Sequence, residues 1–244
     1  MQKFQDNLEL IPFIRGKIKL YQKKKGYRFS IDPVLLADFV KITKKGKLVD
    51  LGTGSGIILL LLALRYKTLE FYGIEIQEDL YKIAKENFKL NNLKVNLIKG
   101  DVKKIKEIFK PHSFEYVVAN PPFYKPTGKT SNIEEVKIAK FEIKATVKDF
   151  IEAASYLLKD NGKFFLINQS QRLSETINVC IEKRLIPKRI RFVHPRIDEN
   201  SSHFLVESVK GAKLGGEIIE KPLILYGGNN KYTEEVEKIL EEFQ

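Results

Sequence analysis

The chain has 244 residues, 43 Lys+Arg against 31 Asp+Glu for a formal net charge of +12, and a single cysteine. That length buries one full core and predicts a single domain over 1–244, while the lone Cys180 leaves no internal disulfide and no thiolate zinc cluster. The longest apolar run, Ile57 to Leu64, stops at Arg65 and is too short to span a bilayer. The N-terminus "MQKFQDNLEL" has no signal-like apolar stretch. These features predict a cytoplasmic protein, monomeric by default, with no membrane or metal partner and a basic surface suited to a polyanion such as nucleic acid.

In chain order, "LELIPFIRGKIKLYQ" reads as a hairpin turning near Gly16, and "SIDPVLLADFV" as a helix with Pro33 at its first position after Asp32. From Lys47 the pattern alternates. "KLVDLG" is a strand, "IILLLLALRY" a buried helix, and "FYGIEI" a second strand. "EDLYKIAKENFKLNN" is a helix with Leu80, Ile83, Ala84 and Phe88 at helical spacing. "VNLIKGD", "VKKIKEIFK" and "FEYVVA" continue as strand, short helix and strand. After a long loop, Tyr124 to about Thr146, come "TVKDFIEAASYLLKD" (helix), "KFFLINQ" (strand) and "LSETINVCIEKRL" (helix). "KRIRFVH" and "HFLVESVK" are adjacent strands, and the tail is a strand, a loop and a helix starting after Thr233. Strands alternating with helices predict a doubly wound α/β fold with a mostly parallel sheet. The last two long strands lack room for a crossover helix, so one of them is antiparallel, near the sheet edge.

Ligands in such sheets bind at the carboxyl ends of the strands. Asp50-Leu-Gly52-Thr-Gly54-Ser-Gly56 falls there, where glycines permit a tight turn and close backbone approach. Its spacing is G-x-G-x-G, which disfavours a dinucleotide. Glu75, with Ile76 after it, ends the second strand and suits a pair of ribose hydroxyls; Asp101 ends the third, where an adenine amino group would lie. This set resembles the class I S-adenosylmethionine methyltransferases, which implies a Rossmann-like sheet with S-adenosylmethionine as cofactor. The resemblance implies Asp50 near the methionine end, Glu75 on the ribose and Asp101 on the adenine.

The fourth strand delivers Asn120-Pro121-Pro122-Phe123 to the same edge. The amine of an aromatic base is a poor nucleophile because its lone pair is delocalised into the ring. An Asn120 side-chain oxygen and a Pro121 carbonyl, fixed by the prolines, can each accept one N–H and turn that lone pair toward a methyl donor. Phe123 offers a stacking face. The motif resembles the Asn/Asp/Ser-Pro-Pro-aromatic signature of amino methyltransferases, which act on adenine N6, cytosine N4, guanine N2 or glutamine N5. Cytosine C5 enzymes need a Pro-Cys nucleophile, which Cys180, mid-helix, does not supply.

"GYRFSIDPVLLADF", with the two motifs above, "HPR" at 194–196 and "VESVKG" at 206–211, resembles the bacterial tRNA1(Val) adenine-N6 methyltransferase family over nearly the whole chain. The resemblance implies a tRNA partner and methylation of the adenine 3′ of the anticodon. It also implies that a segment at about 1–45 covers the cofactor, with Arg28, Phe29 and Asp32 on that side. Members more often carry Tyr at the position of Phe123. The alternatives are a release-factor glutamine-N5 methyltransferase and a ribosomal RNA guanine-N2 methyltransferase, both of which usually carry an extra N-terminal domain, and a non-enzymatic RNA-binding module. Lys23, Lys24, Lys25, Arg28, Lys125, Lys129, His194 and Arg196 map to strand-carboxyl loops or the N-terminal segment and are expected to meet RNA phosphates. Lys44, Lys45 and Lys47, and Lys103, Lys104 and Lys106, read as solvated rims. The 124–146 loop is expected to act as a lid that orders on RNA binding.

Overall fold

A computed structural model describes residues 8–24, 30–122 and 145–243. The N-terminal hairpin forms as expected: β1 (Leu8–Phe13) pairs antiparallel with β2 (Ile18–Lys23), turning through Gly16. It is a docked piece. Asn87, fully buried, accepts from the Tyr21 amide at 2.7 Å and donates to the Ser55 carbonyl at 2.9 Å. Asn91 does the same for Lys19, accepting from its amide and donating to its carbonyl. Two asparagines on one helix face thus complete the hairpin's open edge, whose backbone groups would otherwise be desolvated without partners.

The central sheet runs β10-β8-β9-β7-β6-β3-β4-β5, with β11 also pairing β8. Its strands are β3 (Gly46–Leu51), β4 (Leu69–Glu75), β5 (Val95–Lys99), β6 (Phe114–Ala119), β7 (Leu158–Gln169), β8 (Leu185–His194), β9 (His203–Lys210), β10 (Ile218–Ile219) and β11 (Leu223–Ile224). All pairings are parallel except those of β9, which lies antiparallel between β7 and β8. The connection from β8 to β9 is too short for a crossover, so the strand must reverse.

Helices cover both faces because the parallel strands are apolar on both sides. On one face pack α1 (Asp32–Phe39), α2 (Ile57–Arg65), α3 (Glu78–Leu90) and α7 (Glu234–Glu242); on the other pack α4 (Ile105–Ile108), α5 (Val147–Leu157) and α6 (Leu173–Glu182). Residues Ile57 to Leu62 of α2 are all buried, consistent with its uniformly apolar sequence. No helix among the described residues is long and apolar enough to cross a membrane.

Three boundaries differ from the sequence expectation. Helix α1 starts at Asp32, so Pro33 sits inside its first turn. Helix α5 stops at Leu157, and β7 begins at Leu158, because Leu158 already pairs with Phe114. A corner with Asn161 at φ 63° then re-registers the strand at Lys163. β10 was not anticipated; its two isoleucines are exposed and lack the alternation that marks a strand.

The chain winds from β3 through β4 to β5 in one direction and returns through β6 to β7 in the other. The order therefore switches between β3 and β6, and the crevice for a ligand opens beyond their carboxyl ends.

Candidate active site

At that switch point lies a cleft of about 640 Å³ including its mouth, within the range of small-ligand sites. Of the residues expected at the site, Gly52, Gly54, Glu75, Ile76, Asp101, Asn120 and Pro122 line it together. Gln77, Leu80, Val102 and Phe150 line it as well, and no sequence signal marked them. Phe150 is an example. It reads as a core position of α5, yet its ring passes under the glycine turn, where a Cβ on Gly52 would stand 3.2 Å from it. Gly52 also has φ 72°, so the backbone favours glycine there and the Phe150 ring leaves little room for a Cβ.

The glycine turn is stitched to β4. The Thr53 amide donates to the Ile74 carbonyl at 2.9 Å. Glu75 then holds two amides, one per oxygen: Gly54 N–H to Oε2 and Gln77 N–H to Oε1, each at 2.8 Å. Both bonds orient the carboxylate at the cleft wall. Asp101 is held similarly, its Oδ1 capping the short helical turn 102–104 through the Lys103 amide at 2.9 Å.

Asp50 and Asn120 differ. Asp50 is completely buried beneath the turn and does not line the cleft. Its Oδ2 accepts from the Thr53 hydroxyl at 2.7 Å, and its Oδ1 has no hydrogen-bond partner among the described residues. Burial pushes its carboxyl up to about 7, partly countered by the Thr53 hydrogen bond and reinforced by the charge of Glu75. Asn120, at the end of β6, carries a buried Oδ1 with no partner among the described residues. Buried acceptors are normally satisfied, and unmet ones concentrate where a ligand completes them.

Other expected positions fall elsewhere. Gly56, with φ 88°, caps α2 outside the cleft; a Cβ there would lie 2.6 Å from the Phe88 ring, so it serves helix packing. Asp32 accepts from the Ser30 hydroxyl, and its charge acts on His203, whose imidazole burial drives toward the neutral form. Pro121 is buried between the cleft-lining residues Asn120 and Pro122. Lys23 is paired with Asp79 at 2.8 Å and mostly covered, which argues against a free phosphate contact. Lys24 is an exposed residue just past β2. His194 Nδ1 bonds the Glu199 carbonyl, while Arg196 is engaged by Glu199 at 2.6 Å and by Asn230. The 194–196 turn is thus braced internally, three strands from β6 or roughly 14 Å across the sheet. Lys25, Arg28, Phe29, Phe123, Lys125 and Lys129, with the loop 124–144, lie outside the described residues.

The arrangement fits S-adenosylmethionine. Two oriented carboxylates, Glu75 and Asp101, line the cleft at successive strand ends, and the Asn120 oxygen without a partner among the described residues stands at the same cleft. Among solved structures, a predicted O-methyltransferase from Agrobacterium tumefaciens superposes with a TM-score of 0.69 at 23% identity, covering 86% of this chain and 95% of that one. A SAM-dependent methyltransferase from Aquifex aeolicus does so with a TM-score of 0.52 at 16% identity, covering 73% and 89%. At these identities the likeness speaks for the fold. Among curated relatives, the tRNA1(Val) (adenine(37)-N6)-methyltransferase of Christiangramia forsetii is 25% identical over 236 residues, 95% of this chain and 97% of its own length. The sequence model of the methyltransferase small domain matches residues 31–188, nearly two-thirds of the chain and the whole of the cleft: this protein belongs to the methyltransferase small-domain family.

Proposed function

We propose that the protein transfers a methyl group from S-adenosylmethionine to the exocyclic N6 of the adenine 3′ of the anticodon in tRNA1(Val). The observation that carries the reading is the buried, unmet Asn120 oxygen at the cleft. The relatives' name and the near-complete mutual coverage supply the substrate.

Glu75 would accept the ribose hydroxyls and Asp101 the adenine amine, with Ile76 and Val102 as apolar walls. The cofactor supplies an electrophilic methyl on a sulfonium. The chain's own contribution is to make a poor nucleophile reactive. Asn120 Oδ1 and the Pro121 carbonyl each accept one N–H of the base amine, which withdraws its lone pair from the ring and aims it across the cleft. Pro121 and Pro122 hold these acceptors in place before the substrate arrives, so no reorganisation is needed at the moment of reaction. A strong base is unnecessary, because the proton becomes acidic once the nitrogen carries the methyl. The anticodon loop is single-stranded, so bringing its base into the cleft costs less than extracting one from a duplex.

The test is to incubate the protein with labelled S-adenosylmethionine and unmodified total tRNA, then digest and identify the nucleoside. N6-methyladenosine is expected. Label on guanine N2, or on a release-factor glutamine offered in parallel, would overturn the substrate while leaving the clamp chemistry standing.

A further inference from the structure

A second, larger groove of about 1020 Å³ with its mouth runs along the outer face between α4 and α5. Val102 lines both it and the cofactor cleft, so the two lie side by side across that residue. At the near end stands Lys103, two residues after the cleft residue Asp101; at the far end stand Lys183 and Lys210, beyond the amino edge of the sheet. Helix α5, which forms one wall, is 11 residues long, or about 16 Å. That length accommodates a short run of single-stranded backbone phosphates.

The charge in the groove is positive and incompletely compensated. Of its two carboxylates, Asp149 is turned into the capping box of Thr146, and Glu152 is paired with Lys183 at 2.8 Å. Lys103 and Lys106 have no carboxylate partner among the described residues; Lys106 lies only over the Tyr156 ring, at 5.8 Å. Lys210 donates to the Ser155 hydroxyl and the Lys183 carbonyl, and partial burial beside Arg184 holds its ammonium below the usual lysine range, with Asp160 opposing. An anion in the groove would relieve all of this. Lys103 and Lys106 are exposed, as the sequence predicts for a solvated rim, and they also line this groove.

We propose that the α4–α5 groove binds the phosphate backbone of the RNA whose base enters the cleft. This rests on the RNA substrate proposed above. The groove supplies positive charge along its length, so its contribution is affinity and register through phosphate contacts.

The experiment compares Lys103→Ala/Lys106→Ala with Lys44→Ala/Lys45→Ala. The second pair removes the same charge from exposed lysines at the amino edge. Dissociation constants for unmodified tRNA are measured from about 50 to about 200 mM salt, together with KM for tRNA and calorimetric affinity for S-adenosylmethionine. The groove pair should weaken tRNA binding about tenfold and lower the salt slope by about 1–2, at close to one unit per lost phosphate contact. The amino-edge pair should change neither, and cofactor affinity should hold in both. Equal behaviour of the two pairs would overturn the groove while leaving a tRNA-methylating wild type, and hence the substrate reading, intact. A wild type that methylates only a release-factor glutamine would remove both.

Discussion

The cleft has two halves that solve the same problem differently. On the β4–β5 side, Glu75 and Asp101 are carboxylates already held by backbone amides. On the β3–β6 side, Asp50 and Asn120 each bury an oxygen that no described residue satisfies. The first half is a finished mould, fixed in shape before a nucleoside enters. The second is a pair of acceptors left unmet among the described residues, carried by neighbouring parallel strands β3 and β6. In the function proposed above, cofactor holding falls to the satisfied side and activation of the amine to Asn120 on the unsatisfied one.

The sharpest way to break this contrast is at Asn120. Asn120→Ala should keep S-adenosylmethionine binding and lose about 10²–10³ in turnover, the usual effect of removing one preorganised acceptor or donor from a transition state. Single-turnover kinetics at saturating tRNA and cofactor measure it, and near-wild-type rates would take Asn120 out of the chemistry.

Asp50 comes next. Its folded carboxyl, at about 7, lies well above the unfolded value of 3.8. The native state therefore binds more protons between these values, and stability falls as pH rises through that window, with the full penalty present above about pH 7. Asp50→Asn should remove a penalty on the order of a few kcal/mol at pH 8 and little at pH 4. Thermal melts of the cofactor-free protein across pH read the difference; a pH-independent effect would mean Asp50 is ionised and satisfied.

Glu75→Ala should weaken S-adenosylmethionine binding by about 2 kcal/mol, because two hydroxyls lose a charged acceptor. Since the same carboxylate anchors the Gly54 and Gln77 amides, the cofactor-free protein should also show faster amide exchange at those two positions. Calorimetry with unchanged affinity would place the ribose elsewhere.

The smallest effect is expected at a distance. Asn87→Ala should cost about 1–3 kcal/mol, by leaving the Tyr21 amide and Ser55 carbonyl unpaired in the interior. Limited proteolysis should then release the β1–β2 hairpin first; global unfolding without selective hairpin cleavage would mean that Asn87 serves the core alone.

Local pattern made much of this legible. The alternation of apolar runs predicted the strand and helix order, and the acidic residues at three successive strand ends, with Asn120-Pro121-Pro122 at the fourth, marked one edge of the sheet. All of these are features of a chain's own backbone period, which sequence carries directly. What packing decided is different in kind. Which carboxylate is satisfied and which is left wanting depends on where the Thr53, Gly54 and Gln77 groups fall after the turns close. Gly52 and Gly56 look alike in the motif, but one faces the cleft floor over Phe150 and the other receives Phe88. Lys23 and Arg196 look free in sequence and are paired in space with partners 56 and 34 positions away, Asp79 and Asn230. Lys103 and Lys106 look like a solvated helix and line a groove because α5, arriving more than forty residues later, builds its other wall. Sequence determined the elements and the edge at which chemistry occurs, because periodicity and strand-end residues are local. Tertiary structure decided the charge state, the occupancy of each acceptor and the route an RNA would take, because desolvation and ion pairing are set by neighbours distant in the chain.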